Sequence, residues 1–157
     1  MIYSQLLANV PLHEIVTSAN QFLCRKVAGQ KYATLVLCHL SANGELEYVN
    51  CGHVPPVVVT AEGVQRPKNC NLPVGLLSEA QFESSKIQLP PGGHFVMVTD
   101  GVTEAENTNG DFFGDERLEE ACKTATPFEN INEAVRAYCG DHPFTDDCTI
   151  LELSYKG

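Results

Sequence analysis

The chain has 157 residues, of which 43% are hydrophobic and 19% charged, a composition typical of one folded domain spanning residues 1–157. Its formal net charge of -10 argues against nucleic-acid binding, which needs a basic surface. No apolar run approaches the roughly 18 residues of a membrane helix, and the first residues lack the basic stretch of a secretory signal. We therefore expect a cytoplasmic protein that does not contact a membrane.

The opening residues predict two helices. Residues 1–9 are typical of the end of a helix whose beginning is missing, and Gly29 is a typical helix end. Between them, apolar side chains recur at helical spacing, namely Leu12, Ile15, Val16, Ala19, Phe22, Leu23 and Val27.

Three hairpins are predicted next from strand-like runs separated by turn sequences. They pair residues 32–40 with 45–50 across Asn43-Gly44, 57–60 with 64–66 across Glu62-Gly63, and 82–89 with 94–99 across Pro90-Pro91-Gly92-Gly93. Asn43-Gly44 is a typical type I′ turn sequence, because both residues tolerate positive φ.

Two helices and a final strand complete the prediction. Thr126-Pro127-Phe128-Glu129 is a capping-box sequence with proline in the first turn, and Gly140 is a natural helix end. Residues 148–155 alternate apolar and polar side chains, as a strand does. Helices, antiparallel strands, helices and a strand in separate runs favour an α+β layered fold.

The seven cysteines are spread along the chain without a Cys-x-x-Cys pair. An odd number without framework spacing argues against a disulfide scaffold and against a structural zinc site. We expect most of these thiols to be buried as small apolar side chains.

An aspartate follows the apolar run Val96-Met97-Val98-Thr99, and Gly101 follows Asp100. A strand end holds a carboxylate rigidly, and glycine permits a sharp exit and the close approach of a ligand. Asp-Gly is also a common turn dipeptide, so a turn without further function explains this motif alone more readily. The surrounding segment, residues 97–120, holds eight carboxylates against one base, Arg117.

Asp146 and Asp147 directly precede the last predicted strand. Adjacent side chains of a strand point to opposite faces, so only one of the two can face Asp100. A loop or turn role explains the pair equally well.

Six motifs follow one another along the chain: Tyr32-Ala33-Thr34-Leu35, Tyr48-Val49-Asn50-Cys51-Gly52-His53-Val54-Pro55-Pro56, Leu72-Pro73-Val74-Gly75-Leu76, Val98-Thr99-Asp100-Gly101-Val102-Thr103-Glu104-Ala105, Asn109-Gly110-Asp111-Phe112-Phe113-Gly114 and Asp146-Asp147-Cys148-Thr149-Ile150. In this order they resemble, along nearly the whole chain, the C-terminal portion of the SpoIIE/RsbU-type metal-dependent (PPM, type 2C-like) serine/threonine protein phosphatases.

The resemblance implies a layered α-β-β-α sandwich of two antiparallel sheets flanked by helices, with two Mn²⁺ or Mg²⁺ ions in a cleft. By motif, Asp100 and Asp146 are metal ligands, and no side chain is assigned as a catalytic nucleophile. His53 matches a loop that is structural or lines the cleft, with proton transfer as the alternative. Glu104 matches a position that orients the metal loop, or else serves as a cap or turn partner.

The family pattern begins with a Gly-Asp-x-x-Asp strand and a Gly-Asp-x-x-Gly-x-Gly segment, which this sequence lacks. We therefore expect an N-terminally incomplete domain without the carboxylate that bridges both ions. Two octahedral ions need about a dozen ligand positions, so this chain alone should bind metal weakly and hydrolyse phosphoesters poorly or not at all. Unpaired strand edges should also favour a homodimer.

Three functions remain open. The first is a protein phosphatase domain acting on a phosphorylated anti-anti-sigma-type regulator in bacterial signalling. The second is a non-catalytic pseudophosphatase interaction module that keeps the fold without the metal centre. The third, an unrelated metal hydrolase built on Asp100 and Asp146, would need further ligands. Whether this chain is itself an enzyme is left open by its sequence.

Overall fold

The structure is a computed structural model that describes residues 2–27 and 31–157. Its elements are, in chain order, α1 (Ile2–Leu7), α2 (Leu12–Val27), β1 (Leu35–Leu40), β2 (Glu45–Cys51), β3 (Val57–Thr60), β4 (Gly63–Gln65), β5 (Ser85–Gln88), β6 (Gly93–Val98), α3 (Asp100–Thr103), α4 (Gly114–Ala121), α5 (Pro127–Cys139) and β7 (Ile150–Tyr155). The helix end predicted at Gly29 lies outside the described residues. No helix within them is long and apolar enough to cross a membrane.

The chain forms two units, Met1–His53 with Lys68–Gln88, and Val54–Pro67 with Leu89–Gly157. The first unit has an antiparallel sheet in the order β1-β2-β5, flanked by α1 and α2. Helix α2 buries residues three and four positions apart, because these share one helix face. The core of this unit comprises Leu12, Ile15, Val16, Val49, Cys51, Val74, Ala80 and Phe82.

The second unit has an antiparallel sheet in the order β4-β3-β6-β7, flanked by α4 and α5. Its core comprises Val57, Val59, Val96, Val98, Val102, Ala105, Phe113, Leu118, Ala121, Cys122, Ile131, Val135 and Cys139. Two antiparallel sheets flanked by helices confirm the predicted α+β class.

The predicted hairpin between residues 82–89 and 94–99 is wrong. Strand β5 pairs with β2, whereas β6 lies between β3 and β7 in the other sheet. Strand β6 is buried along nearly its whole length, so both of its edges and both faces need partners. Strand β5 alternates between half-buried and exposed residues, which suits the edge position that it occupies.

The hairpin between β1 and β2 has a different turn from the predicted type I′. Gly44 donates its N–H to the carbonyl of Ser41 at 3.0 Å and has a φ of 85°. Asn43 is not among the described residues with positive φ. Its side-chain Oδ1 accepts the N–H of Glu45 at 3.1 Å, and such a local bond favours an Asx-type turn.

Helix α5 begins at Pro127 and ends before Gly140, as predicted. The cap differs, because Thr126 makes no side-chain capping bond. Instead, Oε2 of Glu152, on β7, accepts the N–H of Phe128 at 2.9 Å. The other oxygen, Oε1, lies 2.7 Å from Nδ1 of His94 on β6. One carboxylate therefore joins the start of α5 to the sheet.

Candidate metal centre

The C-terminal end of β6 and the start of β7 lie side by side at one end of the strands of the four-stranded sheet. Val98 is in register with Ile150 in this antiparallel pair. Asp100 follows β6 and begins the one-turn helix α3, while Asp146 lies four residues before β7. The topology thus carries the two predicted metal ligands to the same end of neighbouring strands.

Thr99 connects the two chain segments that carry these aspartates. Its backbone N–H donates to the carbonyl of Thr149 at 3.1 Å. Its hydroxyl accepts the N–H of Thr149 at 2.9 Å and donates to the carbonyl of Asp147 at 2.8 Å. Three hydrogen bonds therefore fix the loop before β7 against the end of β6.

Gly101 packs directly on the backbone of Asp146 and Asp147. A Cβ added at Gly101 would lie 2.6 Å from the carbonyl oxygen of Asp147 and 3.4 Å from the carbonyl carbon of Asp146. The sequence predicted glycine here for the approach of a ligand, but the group that approaches is this loop. Only a residue without a side chain lets the two segments come so close.

Each aspartate caps its own turn with one oxygen. Oδ1 of Asp100 accepts the N–H of Gly101 at 3.1 Å, and Oδ1 of Asp146 accepts the N–H of Asp147 at 2.7 Å. Both residues are exposed. Among the described residues, no hydrogen bond involves either Oδ2. The carboxylates therefore present oxygen atoms to solvent, where a cation can reach them.

The donor set fits a hard cation in part. Mg²⁺ and Mn²⁺ prefer carboxylate and water oxygens, and Asp100 and Asp146 supply the carboxylates. Within residues 2–27 and 31–157, no three His, Cys, Asp or Glu side chains converge as a metal site. Two carboxylates fill only two of about six positions around one octahedral ion, so water or further ligands must complete the shell.

His53 belongs to a turn that Asn50 holds from within the first unit. Asn50 is 1% exposed, and its Oδ1 accepts the N–H of His53 at 2.9 Å while its Nδ2 donates to the His53 carbonyl at 3.0 Å. Gly52 has a φ of 70°, and a Cβ there would lie 2.5 Å from Pro73. These contacts favour the structural interpretation of the motif. The role of Asn50 was missed by the sequence analysis.

Glu104 ends the short helix that Asp100 begins. Its backbone N–H donates to the carbonyl of Asp100 at 2.7 Å, and the residue is exposed. This geometry agrees with the cap or turn partner that the sequence left open.

Cys148 adds a further link between the two aspartate segments. Its Sγ donates to the carbonyl of Gly101 at 2.9 Å. Burial raises the pKa of the Cys148 thiol, and the charges of Asp146 and Asp147 act in the same direction. A raised pKa keeps the thiol protonated, which is the state that donates this bond.

Two other thiols should be unreactive in the folded protein. Burial raises the pKa of Cys51 and that of Cys122 to about 12, and neither side chain is exposed. Since the thiolate is the reactive form, we expect iodoacetamide at pH 8 to modify exposed Cys70 while Cys51 and Cys122 remain unmodified. Peptide mass spectrometry would measure this, with urea-unfolded protein as the control. Equal labelling of all three before unfolding would contradict it.

The profile of the SpoIIE family, described as Stage II sporulation protein E, matches residues 1–156. The chain belongs to the SpoIIE family. The family comprises PP2C-type (PPM) phosphatase domains of bacterial signalling proteins, as the resemblance of the six motifs implied.

Two curated relatives match parts of the chain. Protein IcfG of Synechocystis sp. is 36% identical over 80 residues, which are 50% of this chain and 13% of IcfG. Stage II sporulation protein E of Bacillus subtilis is 24% identical over 143 residues, which are 87% of this chain and 17% of that protein. The chain thus spans less than a fifth of the length of either relative.

Solved structures share the fold. The PP2C phosphatase domain of SpoIIE from Bacillus subtilis, solved with a fragment of its regulatory domain, has a TM-score of 0.79 at 21% identity, covering 96% of this chain and 46% of that one. The SiaA-PP2C domain of Pseudomonas aeruginosa has a TM-score of 0.80 at 21% identity, covering 98% and 65%. RsbX, solved in complex with magnesium, has a TM-score of 0.69 at 16% identity, covering 92% and 65%. These likenesses establish a PP2C-type fold.

Proposed function

We propose that this chain is part of a divalent-cation-dependent phosphoserine/phosphothreonine protein phosphatase domain, in which Asp100 and Asp146 bind the cation. The observation that carries the proposal is the packing of Gly101 against the Asp146–Asp147 backbone, which holds the two aspartate segments together. A turn without further function needs neither this contact nor the double hydrogen bond of the Thr99 hydroxyl.

The backbone N–H groups that follow Asp100 and Asp146 would position the two carboxylates. Oδ1 of each aspartate is fixed by the following N–H, which orients Oδ2 before any ion arrives. A divalent cation held there would polarise a phosphoryl oxygen and lower the pKa of an attacking water. RsbX was solved with magnesium and the SpoIIE phosphatase domain after a manganese soak, which supports Mg²⁺ or Mn²⁺ as the ion.

The expected affinity of this chain alone is low. Two protein carboxylates leave most of the coordination to water, so we expect Mn²⁺ to bind on the order of millimolar and turnover to be slow or absent. A phosphatase domain that supplies more ligands would bind the ion more tightly. A non-catalytic interaction module that keeps the fold is the competing proposal.

Manganese titration tests the assignment of Asp100 and Asp146. Mn²⁺ should broaden amide NMR signals around both residues, because its unpaired electrons relax nearby nuclei. Asp100→Asn and Asp146→Asn should each weaken this effect on the order of tenfold, since each removes a charged ligand. Glu62→Gln is the control, because the β3–β4 turn lies at the opposite end of the sheet in the β3–β6 register.

Turnover of nitrophenyl phosphate, measured on the same proteins with Mn²⁺, completes the test. Broadening that is unchanged in both aspartate variants would refute the ligand assignment. Robust Mn²⁺-dependent turnover that survives both substitutions would refute it as well.

The substrate that we propose is a phosphorylated regulatory protein of the anti-anti-sigma type. One solved structure with this fold is described as the RsbU and RsbW domains of a Mycobacterium tuberculosis protein, and it covers 96% of this chain at a TM-score of 0.75. That pairing of domains supports a role in bacterial signalling. The homodimer and the cytoplasmic location remain predictions, and sedimentation would test the former.

A further inference from the structure

A cavity of about 300 Å³ lies beside the loop that carries Asp146. Arg136 and Phe128 of α5, Phe144 and Cys148 all line it. Cys148 donates to the carbonyl of Gly101, the residue after Asp100. The cavity therefore shares a wall with the candidate metal centre, and all of these residues belong to the second unit.

Arg136 is the one charged residue among the described residues that line this cavity. Its Nε donates to Oδ1 of Asn132, one turn earlier on α5, at 3.1 Å. The ion pairs found among the described residues do not include Arg136. The bond to Asn132 restrains the guanidinium and leaves both terminal nitrogens to bind a ligand. Two such nitrogens match the geometry of a phosphate group.

Apolar and polar groups share the walls of the cavity. Phe128 is 43% exposed and Phe144 is 42% exposed, although both are large aromatic side chains. Val135 and Ile150 add aliphatic surface. A concave site that combines apolar surface with a few polar groups is typical of ligand recognition. It fits an anion carried on a short aliphatic side chain with apolar neighbours.

Negative charge at the candidate metal centre opposes the approach of a phosphate group. The chain has a net charge of -10, and Asp100, Asp146 and Asp147 lie in the two segments that meet there. A phosphate that approaches Asp100 and Asp146 is repelled by them until a cation is bound. The cation of Arg136 is fixed in the chain and attracts the phosphate whether or not a metal ion is present.

We propose that Arg136 and this cavity bind the phosphorylated side chain of the substrate protein, with Phe128 and Phe144 contacting its apolar neighbours. The proposal rests on the proposed phosphatase function for the identity of the ligand. Arg136 is a binding residue that guides the phosphate ester to the edge where Asp100 and Asp146 lie.

Peptide titration in chelator-containing, metal-free buffer tests this site. The probe is a blocked Ala-Leu-phosphoserine-Leu-Ala peptide, compared with its unphosphorylated form and with inorganic phosphate, and binding is followed by amide NMR shifts. We expect shifts at α5 and at residues 144–150 for the phosphopeptide alone. Arg136→Gln should weaken its binding about tenfold, the cost of a charge-assisted hydrogen bond, and Arg136→Lys should weaken it less. Phe144→Ser should also weaken it.

Arg25→Gln, an exposed residue in the last turn of α2, is the matched control and should leave the affinity unchanged. Unchanged phosphopeptide binding in Arg136→Gln would overturn the proposal. Inorganic phosphate that binds as tightly as the phosphopeptide would overturn the protein side chain as the occupant. Asp146→Asn separates the two proposals, because it should weaken Mn²⁺ broadening about tenfold without weakening the binding of the phosphopeptide. Failure of the manganese experiment would refute the metal assignment while leaving the Arg136 result to stand on its own.

Discussion

Replacing Asn20 with alanine is expected to lower the free energy of unfolding by about 2 to 3 kcal/mol, because a buried donor then loses its partner. Asn20 is 0% exposed on α2. Its Oδ1 accepts the N–H of buried Gly75 at 2.7 Å, and its Nδ2 donates to the carbonyl of Leu77 at 2.9 Å. The Asn20 side chain therefore satisfies one backbone donor, at Gly75, and one backbone acceptor, at Leu77, in the loop that packs on α2.

Urea unfolding monitored by circular dichroism would measure this effect. Gln21→Ala, at the exposed neighbouring position, is the control and should change stability by less than about 0.5 kcal/mol. Asn20→Asp keeps the acceptor for Gly75 but buries a charge without the donor to Leu77, so it should also destabilise. A loss for Asn20→Ala no larger than that of the control would contradict the role of this side chain.

Gly101→Ala is expected to destabilise the protein by about 1 to 3 kcal/mol and to weaken cation binding at Asp100 and Asp146. The added methyl group would lie 2.6 Å from the carbonyl oxygen of Asp147, so the backbone of this loop must move away. Movement of that backbone strains both bonds made by the Thr99 hydroxyl. The segments that carry Asp100 and Asp146 would then no longer be held in this contact.

Gly110→Ala separates the two consequences of Gly101→Ala. Gly110 has a φ of 80° and nothing within 4 Å of an added Cβ, so alanine there costs about 1 to 2 kcal/mol through backbone strain alone. Thermal unfolding should therefore shift for both variants, whereas Mn²⁺ broadening should weaken only for Gly101→Ala. Normal broadening in Gly101→Ala would show that the close contact does not position the aspartates.

Local signals in the sequence predicted the elements of the fold well. Pro127 and Gly140 mark the ends of α5, because proline suits the first turn and glycine accepts the φ of 56° found at the end. The short hairpin of residues 57–60 with 64–66 is confirmed by β3 and β4. These features depend on neighbouring residues alone, so they can be predicted from the local sequence.

The same local signals did not predict the contacts between residues far apart in the chain. The Pro90-Pro91-Gly92-Gly93 turn does not reveal that β5 and β6 belong to different sheets, since strand partners depend on what covers each face. The cap that Glu152 gives to α5 comes from 24 residues away along the chain. In α2 the apolar pattern predicted burial of Phe22, which is 46% exposed, while polar Asn20 is buried. A polar side chain that is buried because it bonds to a loop, such as Asn20, does not follow the periodic pattern of apolar residues.

The candidate metal centre was predicted from the resemblance of motifs. The structure shows how the segments that carry its two aspartates are held together. Sequence reasoning gave Asp100 and Asp146 as ligands but could not say what holds their segments together. Thr99 and Gly101 do this through a hydroxyl with two bonds and through the absence of a side chain. Both effects depend on a loop that lies almost 50 residues away in the chain, which no local pattern encodes.

The hydrogen bonds of Thr99 and the close contact of Gly101 have an evolutionary consequence. Its hydrogen bonds join backbone groups, a threonine hydroxyl and a cysteine thiol, and neither aspartate side chain bridges the two segments. Under the proposed assignment, substitution of either aspartate would therefore remove a cation ligand and leave these hydrogen bonds in place. Relatives of this chain can therefore lose the proposed metal site by a single substitution and still keep the same folded surface.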